Sequence, residues 1–70
     1  MELREKLIEA IEDHLKGCIA LHKANVEIYL TNPAGIGEHS DIVEAIEEEL
    51  GKIAECSDKL EALCMVSERQ

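Results

Sequence analysis

Residues 31–39 read Thr31-Asn32-Pro33-Ala34-Gly35-Ile36-Gly37-Glu38-His39, and this stretch decides the fold. Pro33 cannot continue a helix, and its ring pushes Asn32 out of the helical region. Asn32 also suits the left-handed conformation that ends many helices. Gly35 and Gly37 allow backbone angles that other residues resist. The chain therefore turns here, and what lies on either side must fold back on itself.

Upstream, apolar residues recur in sevens. Ile8, Leu15, His22 and Tyr29 form one line; Leu7, His14, Leu21 and Ile28 form the line beside it. Ile11 and Cys18 complete a stripe with the period of an amphipathic helix. Ala10, Gly17 and Ala24 make a further line of small residues. Downstream, Ile46, Ile53 and Leu60 form one line and Val43, Leu50, Ser57 and Cys64 another. Between them run Ile42, Cys56 and Leu63, interrupted by Glu49. Ser40 or Asp41, with Glu44 following, resembles a helix cap. Glu2–Lys6, Glu12–Lys16, Glu48–Lys52 and Glu55–Lys59 are spaced four apart in the favourable order and support helix on the outer faces.

The pattern predicts one all-α domain over residues 1–70. A helix covers about residues 2–30, a Pro/Gly loop about 31–40 and a second helix about 41–67. Two such helices form an antiparallel hairpin with arms of roughly 40 Å at 1.5 Å per residue. A core of this size is marginal, of the order of 3–5 kcal/mol. The apolar stripe of the first helix is also too wide for one neighbour. A homodimer closing into a four-helix bundle is the simplest expectation.

Composition narrows the function. The 70 residues carry 16 Asp+Glu against 7 Lys+Arg, a formal net charge of −9. Residues 41–70 alone contribute −6, from nine acids and three bases. An acidic chain with Tyr29 as its one aromatic residue lacks both the basic surface and the stacking platforms that hold nucleic acid. The longest apolar runs are too short to span a membrane. The N-terminus has no signal-like core, and three cysteines match no disulfide framework, so free thiols in the cytoplasm are expected.

Candidate chemistry is sparse. His14, Cys18 and His22 lie four apart on one helix face, and a turn near Ile36 brings Cys18 toward Cys56. These four are the candidate metal ligands, and they read more simply as core and boundary residues because the remaining ligands of a zinc site are missing. The absence of Glu-x-x-His argues against a di-iron bundle site. No catalytic residue and no cofactor is expected. Glu38-His39 sits at the end of a helical hairpin that offers little concavity for a substrate, and Gly-Ile-Gly lacks the Gly-Lys-Ser/Thr ending of a phosphate loop. The candidate partner-binding residues are Pro33, Gly35, Ile36, Gly37 and His39 in the loop, with Glu44, Glu47 and Glu48 on the acidic helix face. Ile36 either plugs the end of the bundle or faces a partner.

The segment Asn32-Pro33-Ala34-Gly35-Ile36-Gly37-Glu38-His39-Ser40-Asp41 resembles a family of small proteins encoded by tailed phages of marine cyanobacteria. The similarity extends to His22-Lys23-Ala24-Asn25-Val26-Glu27 and Asp58-Lys59-Leu60-Glu61. The resemblance implies a phage origin and expression in a bacterial cytoplasm; it carries no activity, cofactor or partner.

The functional expectation is a non-enzymatic accessory or host-modulating module acting by protein–protein contact, with itself and with a protein of basic surface. One alternative is an acidic mimic of nucleic acid that blocks a DNA-binding protein. A weaker one is a metal-binding bundle.

Overall fold

The computed structural model describes residues 2–31 and 39–67. It is all-helical. Helix α1 spans Leu3–Thr31 and helix α2 spans His39–Ser67, 29 residues each. Cys18 lies against Cys56, while His22 and Asn25 lie against Glu49. Moving up α1 thus moves down α2, so the two helices form an antiparallel hairpin. The described residues contain no strand.

The helix ends follow from local chemistry. The carbonyl of Glu2 accepts from the Lys6 N–H at 3.0 Å, which closes the first turn of α1. At the other end the Thr31 hydroxyl donates back to the Glu27 carbonyl at 2.8 Å. Asn32 and Pro33 follow directly in sequence. In α2 the Ser67 hydroxyl makes the equivalent bond to the Leu63 carbonyl at 2.8 Å. In both cases the hydroxyl adds a second donor to the carbonyl four residues before it, the back-bond that Ser and Thr make inside a helix. Helix α2 starts at His39, two residues before the start that the sequence suggests, so Ser40 and Asp41 sit in its first turn. On the surface, Lys16 pairs with Glu12 at 3.5 Å.

The hairpin is a rod of 50 × 18 × 15 Å with a radius of gyration of 15.7 Å. A compact chain of this length would have a radius near 11 Å. A rod two helices wide has one seam and little interior. Among the described residues only Leu15, Ile42 and Cys56 are buried, at 6%, 9% and 4% exposure. Around them a half-buried layer lines the seam. From α1 it includes Ile8, Ile19, Val26 and Tyr29; from α2, Ile46, Ile53, Leu60 and Leu63. The seam residues of α2 repeat as 42, 46, 49, 53, 56, 60, 63 and 67, which is the alternating three-four spacing of a coiled coil.

Among the described residues Leu15 is the most enclosed aliphatic side chain, so Leu15→Ala is expected to lower stability by about 2–4 kcal/mol. That is most of what a chain of this size has, and denaturant melts should show a sharply lowered midpoint. Gly51 offers a contrast. It lies within α2, and a Cβ added there meets nothing within 4 Å. Gly51→Ala should therefore raise stability by about 0.5–1 kcal/mol, through helix propensity alone. Thermal melts of the two variants check both signs.

Candidate functional site

The chemistry in the seam is concentrated in two adjacent layers. In the first, Glu49 stands on the inner line of α2, where Ile42, Cys56 and Leu63 also stand. Its Oε1 accepts from His22 Nδ1 at 2.5 Å and from Asn25 Nδ2 at 3.1 Å. The His22 and Glu49 side chains are 18% and 16% exposed. Both donors lie on α1 within one turn, so a single carboxylate clamps that turn from across the seam. The hydrogen bond from His22, then that from Asn25, hold the Glu49 carboxyl below its ordinary value of 4.5, against the opposing effect of burial.

In the second layer the Cys56 thiol donates to the Cys18 sulfur at 2.7 Å. Cys56 is buried and Cys18 half-buried. The contact to Cys18, followed by burial, pushes the Cys56 thiol up from its ordinary value. Cys64, on the outer line of α2, is exposed.

A shallow groove of about 460 Å³ runs beside the carboxylate layer, lined by His22, Glu48, Glu49, Gly51, Lys52 and Glu55. Charged residues supply most of its lining, chiefly through their apolar stems, and the groove is too open to enclose a small organic ligand.

Outside the seam, large apolar side chains stand in solvent in two ribbons. On α1, Leu7, Leu21 and Ile28 are 54%, 58% and 57% exposed, and Ile11 and His14 are exposed with them. On α2, Val43, Leu50, Ser57 and Cys64 are exposed. In α1 the ribbon 7, 14, 21, 28 precedes the seam line 8, 15, 22, 29 by one residue. In α2 the ribbon 43, 50, 57, 64 follows the seam line 42, 49, 56, 63 by one residue. Two right-handed helices running antiparallel turn those opposite offsets to opposite flanks of the hairpin. Each flank thus pairs an apolar ribbon on one helix with a different line of the other. Beside the α1 ribbon that line carries Ala45, Lys52 and Lys59.

The residues singled out from sequence are distributed as follows. Pro33, Gly35, Ile36 and Gly37 lie outside the described residues. His39 opens α2, and its side chain also lies outside them. Glu44, Glu47 and Glu48 are exposed on α2, together with Glu55, Asp58 and Glu61. The four candidate metal ligands separate: Cys18 meets Cys56, His22 meets Glu49, and His14 is exposed. Among the described residues no three His, Cys, Asp or Glu side chains converge as a metal site would require. The same residues include no helix long and apolar enough to cross a membrane. Sequence reasoning marked Glu49 as an interruption of an apolar line and did not pair it with His22. The signal was present, because a turn near Ile36 sets position 22 almost opposite position 49.

No protein-family model, curated protein or solved structure matches the chain.

The carboxylate layer has a pH signature. Because Glu49 titrates lower when folded, the unfolded chain binds more protons at this group as the solution is acidified. Its contribution is present above the ordinary carboxyl value and is lost as pH falls through the lowered one. Denaturant midpoints of the wild type and Glu49→Gln, measured from about pH 6 down to about pH 3, should therefore converge on acidification. A constant gap across that range would mean that the carboxylate has no such partners in solution.

Proposed function

We propose that the chain is a non-enzymatic, acidic helical module that works through protein–protein contact, and that its first partner is a second copy of itself. One observation carries the reading: the row Leu7, Ile11, Leu21 and Ile28 stands exposed along the whole of α1. Single exposed aliphatics are ordinary, but an aligned row of them on one helix face marks an interaction surface. Area supports a contact of ordinary size. The chain exposes 5326 Å², against roughly 4,400 Å² for a typical folded protein of its mass. The surplus, about 900 Å², is close to the roughly 800 Å² that one partner buries in a standard interface.

The α1 ribbon also suits twofold self-association. An antiparallel contact sets the Leu7–Ile11 end of one copy against the Leu21–Ile28 end of the other. The patch is then its own complement, as an isologous interface requires. Gly17 lies near the middle of this helix, and a Cβ placed there meets nothing within the hairpin. The acidic outer face of α2 stays in water in that arrangement. It is available to a partner of basic surface, for which charge would steer the encounter.

Light scattering at micromolar concentration should give twice the chain mass of 7.8 kDa. Leu21→Glu should halve the measured mass while helical content is kept at high concentration, because Leu21 lies outside the seam. Leu50→Glu, on the opposite flank, should leave the dimer intact. A wild type that scatters as a folded monomer at micromolar concentration overturns the self-association. Dissociation by Leu50→Glu alone moves the interface to α2.

A further inference from the structure

We propose that Cys18 and Cys56 are a redox-active thiol pair, oxidised to an interhelical disulfide by exchange with a low-molecular-weight disulfide. The pair is not two cysteines that happen to share a core. Their sulfurs stand 2.7 Å apart across the seam, pointing at one another from different helices. A disulfide bond is about 2.05 Å long, so closure asks for a sulfur displacement of well under an ångström.

The two thiols also differ in the way an exchange pair needs. Cys18 is half-buried and reachable from the flank that carries Leu21 and His14; Cys56 is buried beneath it. The Cys18 thiolate attacks one sulfur of the small disulfide, forming a mixed disulfide and expelling one thiolate. The Cys56 thiolate then attacks the Cys18 sulfur of that mixed disulfide and expels the second. Two protein thiols are oxidised and one small disulfide is reduced to two thiols, which take up the two protons that the cysteines release. The first attack needs access, which Cys18 has, and the second needs proximity, which Cys56 has. The upward shift of the Cys56 thiol slows the second step, which therefore quickens as pH rises. Cys64 is exposed and has no sulfur partner among the described residues. It serves as the internal control for simple surface oxidation.

The linkage would tie α1 to α2 near mid-seam and restrict the unfolded chain to a closed loop between residues 18 and 56. Cross-links of that kind usually raise the melting temperature. The proposal is independent of copy number, because both cysteines belong to one hairpin.

The test incubates the full chain with oxidised glutathione and reads intact mass, then peptides, without reductant. Glutathione stands for the class of small disulfides. The expected product is a single-chain species that has lost two hydrogens and whose digest joins the Cys18 peptide to the Cys56 peptide. Cys64→Ser should form it unchanged, whereas Cys18→Ser and Cys56→Ser should not. The linked form should melt roughly 10–20 °C above the reduced chain, and dithiothreitol should reverse the shift. Accumulation of glutathione adducts at Cys18 with no internal link overturns the proposal. So does cross-linking between chains, or a linked form that melts below the reduced one. Wild-type protein alone decides among these outcomes, so a serine variant that fails to fold does not obscure the result.

Discussion

Two helices can give each other one seam, and every other property of this protein follows from that limit. A seam has a centre line and two margins. Residues on the centre line lose most of their water, whereas residues on the margins lose about half. Leu15, Ile42 and Cys56 occupy the centre, and the other apolar side chains among the described residues are half-buried or exposed. At about 25 cal/mol per Å², half-burial yields half the stabilisation, while the entropy of ordering each residue is charged in full. A hairpin of this length therefore ends with little margin and with apolar surface left over. The surplus surface is a consequence of architecture, and it is the material from which an interaction surface is made.

A seam of aliphatic side chains alone would specify its alignment poorly, because a shift by one heptad replaces one leucine or isoleucine with another. The carboxylate layer removes that freedom. Glu49 finds two donors only where His22 and Asn25 face it, and in any shifted alignment it would lose those donors beneath apolar neighbours. The thiol layer lies just beyond. Cys18 and Cys56 meet only in the same alignment. The layers are thus mutually consistent: the polar contact fixes the register that brings the sulfurs together.

Much of this was legible in the sequence, and the limits of legibility are physical. The sevenfold lines and Asn32-Pro33 were enough to give two helices and the reversal between them. The approach of Cys18 to Cys56 followed from a turn near Ile36. What periodicity could not supply was which of two adjacent apolar lines faces inward. In α1 the lines through Leu7 and Leu15 are about equally apolar, so their period is identical and their burial differs only because α2 lies on one side. Glu49 was visible as a fault in a line, but its meaning depends on what faces it, and that is a property of register rather than of either helix alone. His22 illustrates the same point. By spacing it belongs with His14 and Cys18 as a ligand series; by packing it belongs with Glu49.

The opposite placement of the two ribbons constrains how the hairpin can associate. Had both ribbons shared a flank, one broad face would have formed, and one copy could have covered it completely. On opposite flanks they act separately. Under the self-association proposed above, pairing through α1 closes a twofold contact and leaves the α2 ribbon outside it. If that second ribbon paired as readily, hairpins would add to one another without closure, as repeated twofold contacts on two faces do. The composition of α2 opposes this. Its ribbon is broken by Ser57 and ends at Cys64, where the α1 ribbon has Leu21 and Ile28. Residues 41–70 also carry a charge of −6, so bringing two α2 faces together sets like charges against each other. Unequal ribbons on an unequally charged hairpin thus favour one closed contact over an open chain, and they leave the acidic helix facing outward.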